Sequence, residues 1–374
     1  MPVDDRFALP YDDCRNLQRS LNDNDSRKEG GGMAEELKLE PANACPGGLD
    51  QTIRDCNCRE ELPRLNKVLR AWTGNQRRSA MDQLDALIDE TGSRPCLATL
   101  KAEFQAESGD IFGAIETTQQ CIEQAPDSAA SLAKLSHFLT LSDDDRSIEV
   151  LLDACEKYET HKAQMEPLIT SVIETALRFR SQNDYFAALA WMRIGFPYLS
   201  DESKTNISAQ LQPDHRGVSC SILANLGAKS LVIPEGAEAA PTLKPHHEAI
   251  QAMSHGRFRQ AVPLLEQAIE EEPQRYDAWL DLVSAYAACR NSKKACQVLE
   301  KLGKQPDLPA AWKLWVTSVA QWYGSVVTDT PLYHKSLSWT IDDVTAAMEK
   351  MHSDTSAMAA PELTPMVANV SPPP

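Results

Sequence analysis

The chain of 374 residues is longer than one compact hydrophobic core usually accommodates, so its length predicts two domains or one elongated array. Its net charge of −17 excludes nucleic acid and anionic membranes as the main partner. No stretch approaches the roughly 18 apolar residues of a membrane span. The N-terminus has acidic residues where a signal peptide needs basic ones, so we expect a cytoplasmic protein.

Residues 1–61 are polar and have little periodicity, which predicts a disordered arm, and Met33 is a possible alternative start of translation. The arm contains the tightest cysteine cluster of the chain, Cys56 and Cys58 with Cys45 upstream. A zinc site needs a second cysteine pair or nearby histidines, and the first histidine is His137. Free thiols in a flexible arm are therefore the favoured interpretation, with a metal site as the alternative. We expect no metal and no cofactor.

The stretch "GRFRQAVPLLEQAIEEEP", from Gly256 to Pro273, predicts the second helix of a hairpin. A glycine in a tight turn separates it from a preceding helix, "KPHHEAIQAMSH". Ala261, Leu265 and Ala268 stand at i, i+4 and i+7 on one helical face. Small residues on that face let two helix axes approach closely, and the final proline ends the helix.

The same pattern recurs along the chain. Ala295 follows Ala261 by 34 residues, the period of one helix-turn-helix unit. The stretch from Gly109 to Pro126 repeats it earlier, and weaker copies flank that stretch. One such hairpin leaves an apolar face uncovered, so neighbouring hairpins are expected to stack.

The chain resembles the tetratricopeptide repeat family. The residues that carry the resemblance are Gly256, Phe258, Ala261, Leu265, Ala268 and Pro273 in one unit, and Trp279, Leu282, Tyr286, Ala295 and Leu299 in the next. Four earlier units match less well. The resemblance implies an all-α, right-handed α-solenoid of antiparallel helix hairpins, with a concave groove that holds a peptide or a helix of another protein.

The repeats are expected to form two blocks with disordered termini. The predicted organisation is the arm 1–61, a degenerate repeat block 62–199, a junction 200–244, a second block 245–352 and a Pro-rich disordered tail 353–374. An aromatic stripe at helical spacing, Trp312, Trp315, Val319 and Trp322, is interpreted as core packing of a C-terminal cap rather than as a ligand groove.

The sequence contains no motif for an enzyme active site, so we expect no catalytic residue. The acidic run Asp143 to Asp145 is interpreted as a capping turn rather than a cation site. Cys121 and Cys155 lie one period apart at the small-residue position and are expected to be core thiols.

The resemblance assigns the groove to the first helix of each pair, on the face turned away from the second helix. Transferring that phase to the two best units selects His246, His247, Ile250, Met253, Leu280, Asp281 and Ser284. We call these seven residues the predicted face. Its mixed apolar and polar composition is typical of a surface that binds a helix or an extended peptide. The alternative is that these residues are simply solvated.

The sequence therefore predicts a non-enzymatic protein-interaction scaffold with a protein or peptide partner and an undetermined oligomeric state. One alternative is a helical-array enzyme with a site in the junction 200–244, where Asp214 and His215 are adjacent. The other is a cytoplasmic chaperone for secreted proteins, a role that acidic helical-repeat proteins can have.

Overall fold

The computed structural model describes residues 39–43, 45, 52–158, 166–182, 184–195, 198, 244–328 and 346. These residues contain two 3₁₀ helices, Ile53–Asp55 and Asn57–Glu61, followed by thirteen α-helices, and no β-strand. The α-helices are α1 Leu62–Thr73, α2 Arg77–Thr91, α3 Pro95–Glu107, α4 Ile111–Gln124, α5 Ala129–Leu141, α6 Arg146–Lys157, α7 Glu166–Ser181, α8 Tyr185–Gly195, α9 Lys244–Ser254, α10 Phe258–Glu271, α11 Tyr276–Ala288, α12 Ser292–Gly303 and α13 Ala310–Val327. The prediction of an all-α fold is confirmed.

Consecutive helices pack as hairpins, and the hairpins pack on their neighbours. The pairs α1–α2, α3–α4, α5–α6, α9–α10 and α11–α12 are in contact, and α4–α5, α10–α11 and α12–α13 join successive pairs. This is the arrangement that the repeat period predicts, since each hairpin covers the apolar face of the next.

In the hairpin α11–α12, the first helix is buried on more faces than the second. In α11, every residue from Ala278 to Ala288 is buried, whereas α12 buries only Ala295, Val298, Leu299 and Leu302. The difference follows from the sequence: α11 is rich in small and apolar residues all round, and α12 has an apolar stripe opposite charged residues.

The turns within the hairpins use glycine and asparagine chemistry. Gly109 and Gly256 have φ angles of 92° and 73°, which a residue with a Cβ atom rarely adopts. At Gly256 a Cβ atom would also lie 2.5 Å from Cys155 Sγ. Both the backbone angle and this close contact therefore require glycine at the predicted turn. Asn291 caps α12, where its side chain accepts a hydrogen bond from the Lys294 amide at 3.3 Å.

The chain divides into two compact units. Of the described helices, the first unit holds α1–α6 and α7 as far as Arg178, and the second holds α8 as far as Arg193 together with α9–α13. The sequence placed α8 in the first block, 62–199. It groups with the second unit because its aromatic side chains pack there: Trp191 against Phe258 with ring centroids 4.9 Å apart, and Phe186 against Tyr323 at 5.2 Å.

The N-terminal segment differs from the predicted disordered arm between Thr52 and Glu61. Ile53 and Cys58 are fully buried there, in one core with residues of α1–α3. Arg54 N donates to the Pro41 carbonyl at 2.8 Å, and Ile53 N donates to the Asn43 carbonyl at 2.9 Å. The segment lacks helical or strand periodicity because short 3₁₀ turns and backbone hydrogen bonds order it. Most of residues 1–51, the junction 200–244 apart from Lys244, and the tail 353–374 lie outside the described residues.

Pro263 lies in the second turn of α10, and it is exposed. A proline there supplies no amide donor to the helix. We predict that Pro263→Ala raises the free energy of unfolding by about 1–3 kcal/mol in urea titrations. Pro273→Ala is the matched control, because Pro273 follows the end of α10, and it should change stability by less than about 1 kcal/mol. Equal effects of the two substitutions would contradict the assignment of a missing bond.

Candidate partner-binding face

The centre of the predicted face is a buried charge pair between α9 and α11. His246 Nε2 and Asp281 Oδ2 lie 2.8 Å apart, and the two residues are 4% and 0% exposed. Burial by itself lowers the pKa of His246, but the hydrogen bond and negative charge of Asp281 outweigh burial and raise that pKa. The carboxyl group of Asp281 thus favours the charged form of an imidazole that has almost no access to water.

The other members of the predicted face lie on the same two helices and differ in exposure. Ile250, Met253, Leu280 and Ser284 are buried, and only His247 is partly exposed. His247 Nε2 lies 3.0 Å from the Gln251 side-chain nitrogen, away from the bond that His246 makes, as expected for adjacent helical residues. The sequence predicted a surface, whereas the structure places six of the seven side chains in the interior.

A third charged residue acts on this pair. The positive charge of Arg193, near the end of α8, lowers the pKa of Asp281, although burial is the larger effect and keeps that pKa above its ordinary value. Burial lowers the pKa of the Arg193 guanidinium to about 10. Asp281 Oδ1 has no hydrogen-bond partner and is inaccessible to water. A buried acceptor without a hydrogen bond lowers the free energy of unfolding by about 1–3 kcal/mol. A donor group that reached Asp281 Oδ1 would recover that free energy.

Helix α8 is held to the second unit by polar contacts as well as by its aromatic rings. Trp191 Nε1 donates to the Ala288 carbonyl at 3.2 Å. Asp184, just before α8, accepts hydrogen bonds from Tyr323 Oη at 2.9 Å and Ser292 Oγ at 3.2 Å. Burial raises the pKa of this carboxyl group, and the three hydrogen bonds to it, including one from the Ala187 amide, oppose that shift. The unit therefore binds a helix of its own chain across several hairpins.

Sequence reasoning missed Arg193 and Asp184. Both lie in the weakly matching block before the junction. The residues they act on, Asp281, Ser292 and Tyr323, are 88 to 139 residues further along the chain. The available signal was Asp184 at an N-cap position followed by an apolar helix, which predicts a cap but not the bonds to Ser292 and Tyr323.

The expectation that the N-terminal cysteines lie in a flexible arm is wrong. Cys45, Cys56 and Cys58 are 2%, 6% and 0% exposed, and Cys96 at the start of α3, 2% exposed, joins them. The four Sγ atoms lie within 4.8 Å of one another. The sequence search considered only histidines and a matching cysteine pair, so it overlooked a single cysteine 38 residues beyond Cys58.

Other sequence interpretations are confirmed. Asp143 to Asp145 lie in the turn before α6, as predicted; Asp144 Oδ1 accepts a hydrogen bond from the Arg146 amide at 2.9 Å, whereas the Asp145 side chain makes no capping bond. Trp312, Trp315 and Val319 are buried, while Trp322 is partly exposed. Cys121 and Cys155 are core thiols, and burial raises the pKa of Cys155 to about 12.

The sequence profile of the family described as "Tetratricopeptide repeat" matches residues 252–314, which run from the end of α9 through α10–α12 to the start of α13. Residues 252–314 carry the tetratricopeptide repeat pattern. The match contains Gly256, Ala261, Trp279 and Ala295, which are among the residues that define the 34-residue period. The repeats therefore account for the packed hairpins of the second unit.

The solved crystal structure of the P58(IPK) tetratricopeptide repeat domain is similar to this chain at 11% sequence identity. The alignment covers 80% of this chain and 99% of that chain, with a TM-score of 0.25. The assignment of repeats rests on the family profile and on the hairpins, not on this distant likeness. A comparison with curated protein sequences gave no significant match.

Within the part of the chain that the structure describes, no helix has the length and apolar character needed to cross a membrane.

The charge pair of the face predicts a pH-dependent stability. The pKa of His246 in the folded protein is above its ordinary value of 6.5. The contribution of His246 to the free energy of unfolding is therefore complete below pH 6.5 and is lost as the pH rises through the folded-state pKa. The groups around His246 are Asp281, Asp277 and Arg275, and the first two favour its charged form. We predict that wild-type stability relative to His246→Gln decreases from about pH 5.5 to about pH 8.

Urea titrations of both proteins at the two pH values measure this difference. His247→Gln is the matched control, because it removes the adjacent histidine of α9, which makes no ion pair among the described contacts. A constant difference between wild type and His246→Gln would show that folding does not shift the pKa of His246, and a difference that increases with pH would show that burial dominates; either result would contradict the prediction.

Proposed function

We propose that the chain is a protein-interaction scaffold that binds a peptide or a helix of a partner protein. The observation that carries this proposal is the set of tetratricopeptide repeats in residues 252–314, packed as successive hairpins. Tetratricopeptide repeats generally mediate contacts between proteins, and a stack of hairpins offers one long surface rather than a closed pocket. Binding therefore depends on surface complementarity, and the scaffold itself performs no reaction.

The proposed binding site is the exposed edge of α9 beside the predicted face, because six of the seven members of that face are buried. His247 is its partly exposed member, and Lys244, Glu248 and Gln251 are exposed beside it on α9. A partner makes its first contacts along this edge. The buried Asp281 Oδ1 lacks a donor, and a partner that opens the face supplies one from a basic or amide group.

Helix α8 supports the proposal that the bound element is helical. It packs on the second unit through Trp191 and Phe186, and Asp184 anchors its start. The same hairpins thus already hold one helix by apolar rings with a few specific polar bonds. Partner helices that bind in this way present apolar residues at i, i+3, i+4 and i+7.

No observation favours the two alternatives. Asp214 and His215, the pair considered for an enzyme, lie outside the described residues, and nothing points to a chaperone for secreted proteins. We propose a cytoplasmic location, because none of the described cysteines forms a disulfide bond, as in a reducing compartment.

Site-specific photo-cross-linking tests the proposed face without disturbing its buried members. A photoreactive amino acid replaces His247 in one protein and Glu270, which is exposed on the second helix α10, in the control. We predict a protein adduct from native lysate that forms at position 247 and not at position 270, with unchanged circular dichroism in both proteins. The same adducts at both positions, or adducts only at 270, would exclude this face.

A further inference from the structure

Four cysteine sulfurs converge on one point in the first unit. Cys45 Sγ lies 3.5 Å from Cys56 Sγ and 3.7 Å from Cys58 Sγ, and all four atoms, including that of Cys96, lie within 4.8 Å of one another. They come from three separate segments: an N-terminal loop, the 3₁₀ turns before α1, and the first turn of α3. Among the residues that the structure describes, this is the only such group of potential metal ligands.

We propose that Cys45, Cys56, Cys58 and Cys96 bind one zinc ion as a tetrahedral, four-thiolate structural site. Zinc bound to thiolates has a metal–sulfur distance of about 2.3 Å, which corresponds to sulfur–sulfur edges of about 3.8 Å in a regular tetrahedron. The two measured separations are close to that edge. A cluster of several irons holds its four thiolates farther apart than a single ion does, so the compact arrangement favours a mononuclear site.

The backbone around the sulfurs is fixed by contacts that do not involve them. The Asn66 side chain binds the backbone of Leu39 through both its groups, at 2.7 and 3.0 Å. The Arg94 guanidinium donates to the Asn57 carbonyl, between the two cysteines of the pair. The convergence of the sulfurs is therefore set by the fold on both sides of the cluster and is not a consequence of sulfur packing alone.

Two features of the site favour thiolates. The Cys58 amide lies 3.4 Å from Cys56 Sγ and donates a hydrogen bond to it, which disperses negative charge on that sulfur. Cys96 follows Pro95 at the first turn of α3, where the positive end of the helix dipole stabilises an anion. Each thiol releases its proton when the sulfur–metal bond forms, and the doubly charged ion offsets two of the four negative charges.

The closed environment indicates a structural role. All four cysteines are at most 6% exposed, so a bound ion has no open position for water or substrate and no exposed edge for electron exchange. Zinc has no redox chemistry and accepts a tetrahedron of soft ligands without distortion. The ion joins the N-terminal segment to α3; the buried residues described in that segment are Ile53 and the three cysteines.

The first test is the metal content of the full-length wild-type chain, purified without an affinity metal and measured by inductively coupled plasma mass spectrometry. We expect one zinc per chain. Cys58→Ser and Cys96→Ser should lose the zinc and lower the temperature of the first unfolding transition. Cys121→Ser is the matched control: Cys121 is buried in the same unit but its sulfur lies beside the Thr99 and Ser131 hydroxyls, so this variant should keep the zinc.

If the cysteine variants fail to fold, the absorption spectrum of wild-type chain produced in cobalt-supplemented medium tests the same site. A tetrahedral four-thiolate site gives intense visible cobalt bands and a thiolate-to-cobalt charge-transfer band, and both should disappear when zinc is added. Chelation of the zinc from wild-type protein should lower the same unfolding transition.

Three results would overturn the proposal. These are folded wild-type protein without zinc, a disulfide between any two of the four cysteines in a reducing cell, and iron in place of zinc. The inference does not depend on the proposed binding function, because the cysteines lie in the first unit and the predicted face lies in the second.

Discussion

A hairpin of two helices presents apolar side chains on more than one face, so each described hairpin depends on the next one for burial. The consequence is visible in α11, where eleven consecutive residues from Ala278 to Ala288 are buried. Such a helix is not stable alone, since its propensity contributes little compared with the packing of its surface. The tight turn at Gly256 and the small residues Ala261 and Ala295 serve this constraint, because they let helix axes approach closely.

The same constraint explains why charges occur inside the second unit. Once α11 is covered on every face, a polar residue within it has to be paired, and Asp281 is paired with His246 and lies within the field of Arg193. Asp184 receives three donors for the same reason. Such pairs contribute little net stability but penalise incorrect packing of the helices strongly. They fix which helix lies where, and α8 is placed on the second unit by these bonds together with its aromatic rings.

The sequence predicted the parts of the fold that repeat. The 34-residue period placed the hairpins α9–α10 and α11–α12, and the glycine and proline positions marked their turns and ends. It did not predict that Ile250, Leu280 and Asp281 are buried, because helical phase identifies a face of a helix but not what packs on that face. It also missed the grouping of α8 with the second unit and the convergence of Cys96 with Cys45, Cys56 and Cys58. Both depend on contacts between segments distant in sequence, for which a local pattern has no signal.

Native-state hydrogen exchange, followed by mass spectrometry, tests most directly the claim that burial by neighbouring hairpins determines the stability of each helix. In the second unit, α11 is buried all round and α12 on one stripe, and the two helices are of similar length. The account predicts that backbone amides of α11 exchange slowest, at the rate of unfolding of the whole unit, while those on the exposed side of α12 exchange faster by local opening. Exchange of α11 as fast as or faster than α12 would contradict it.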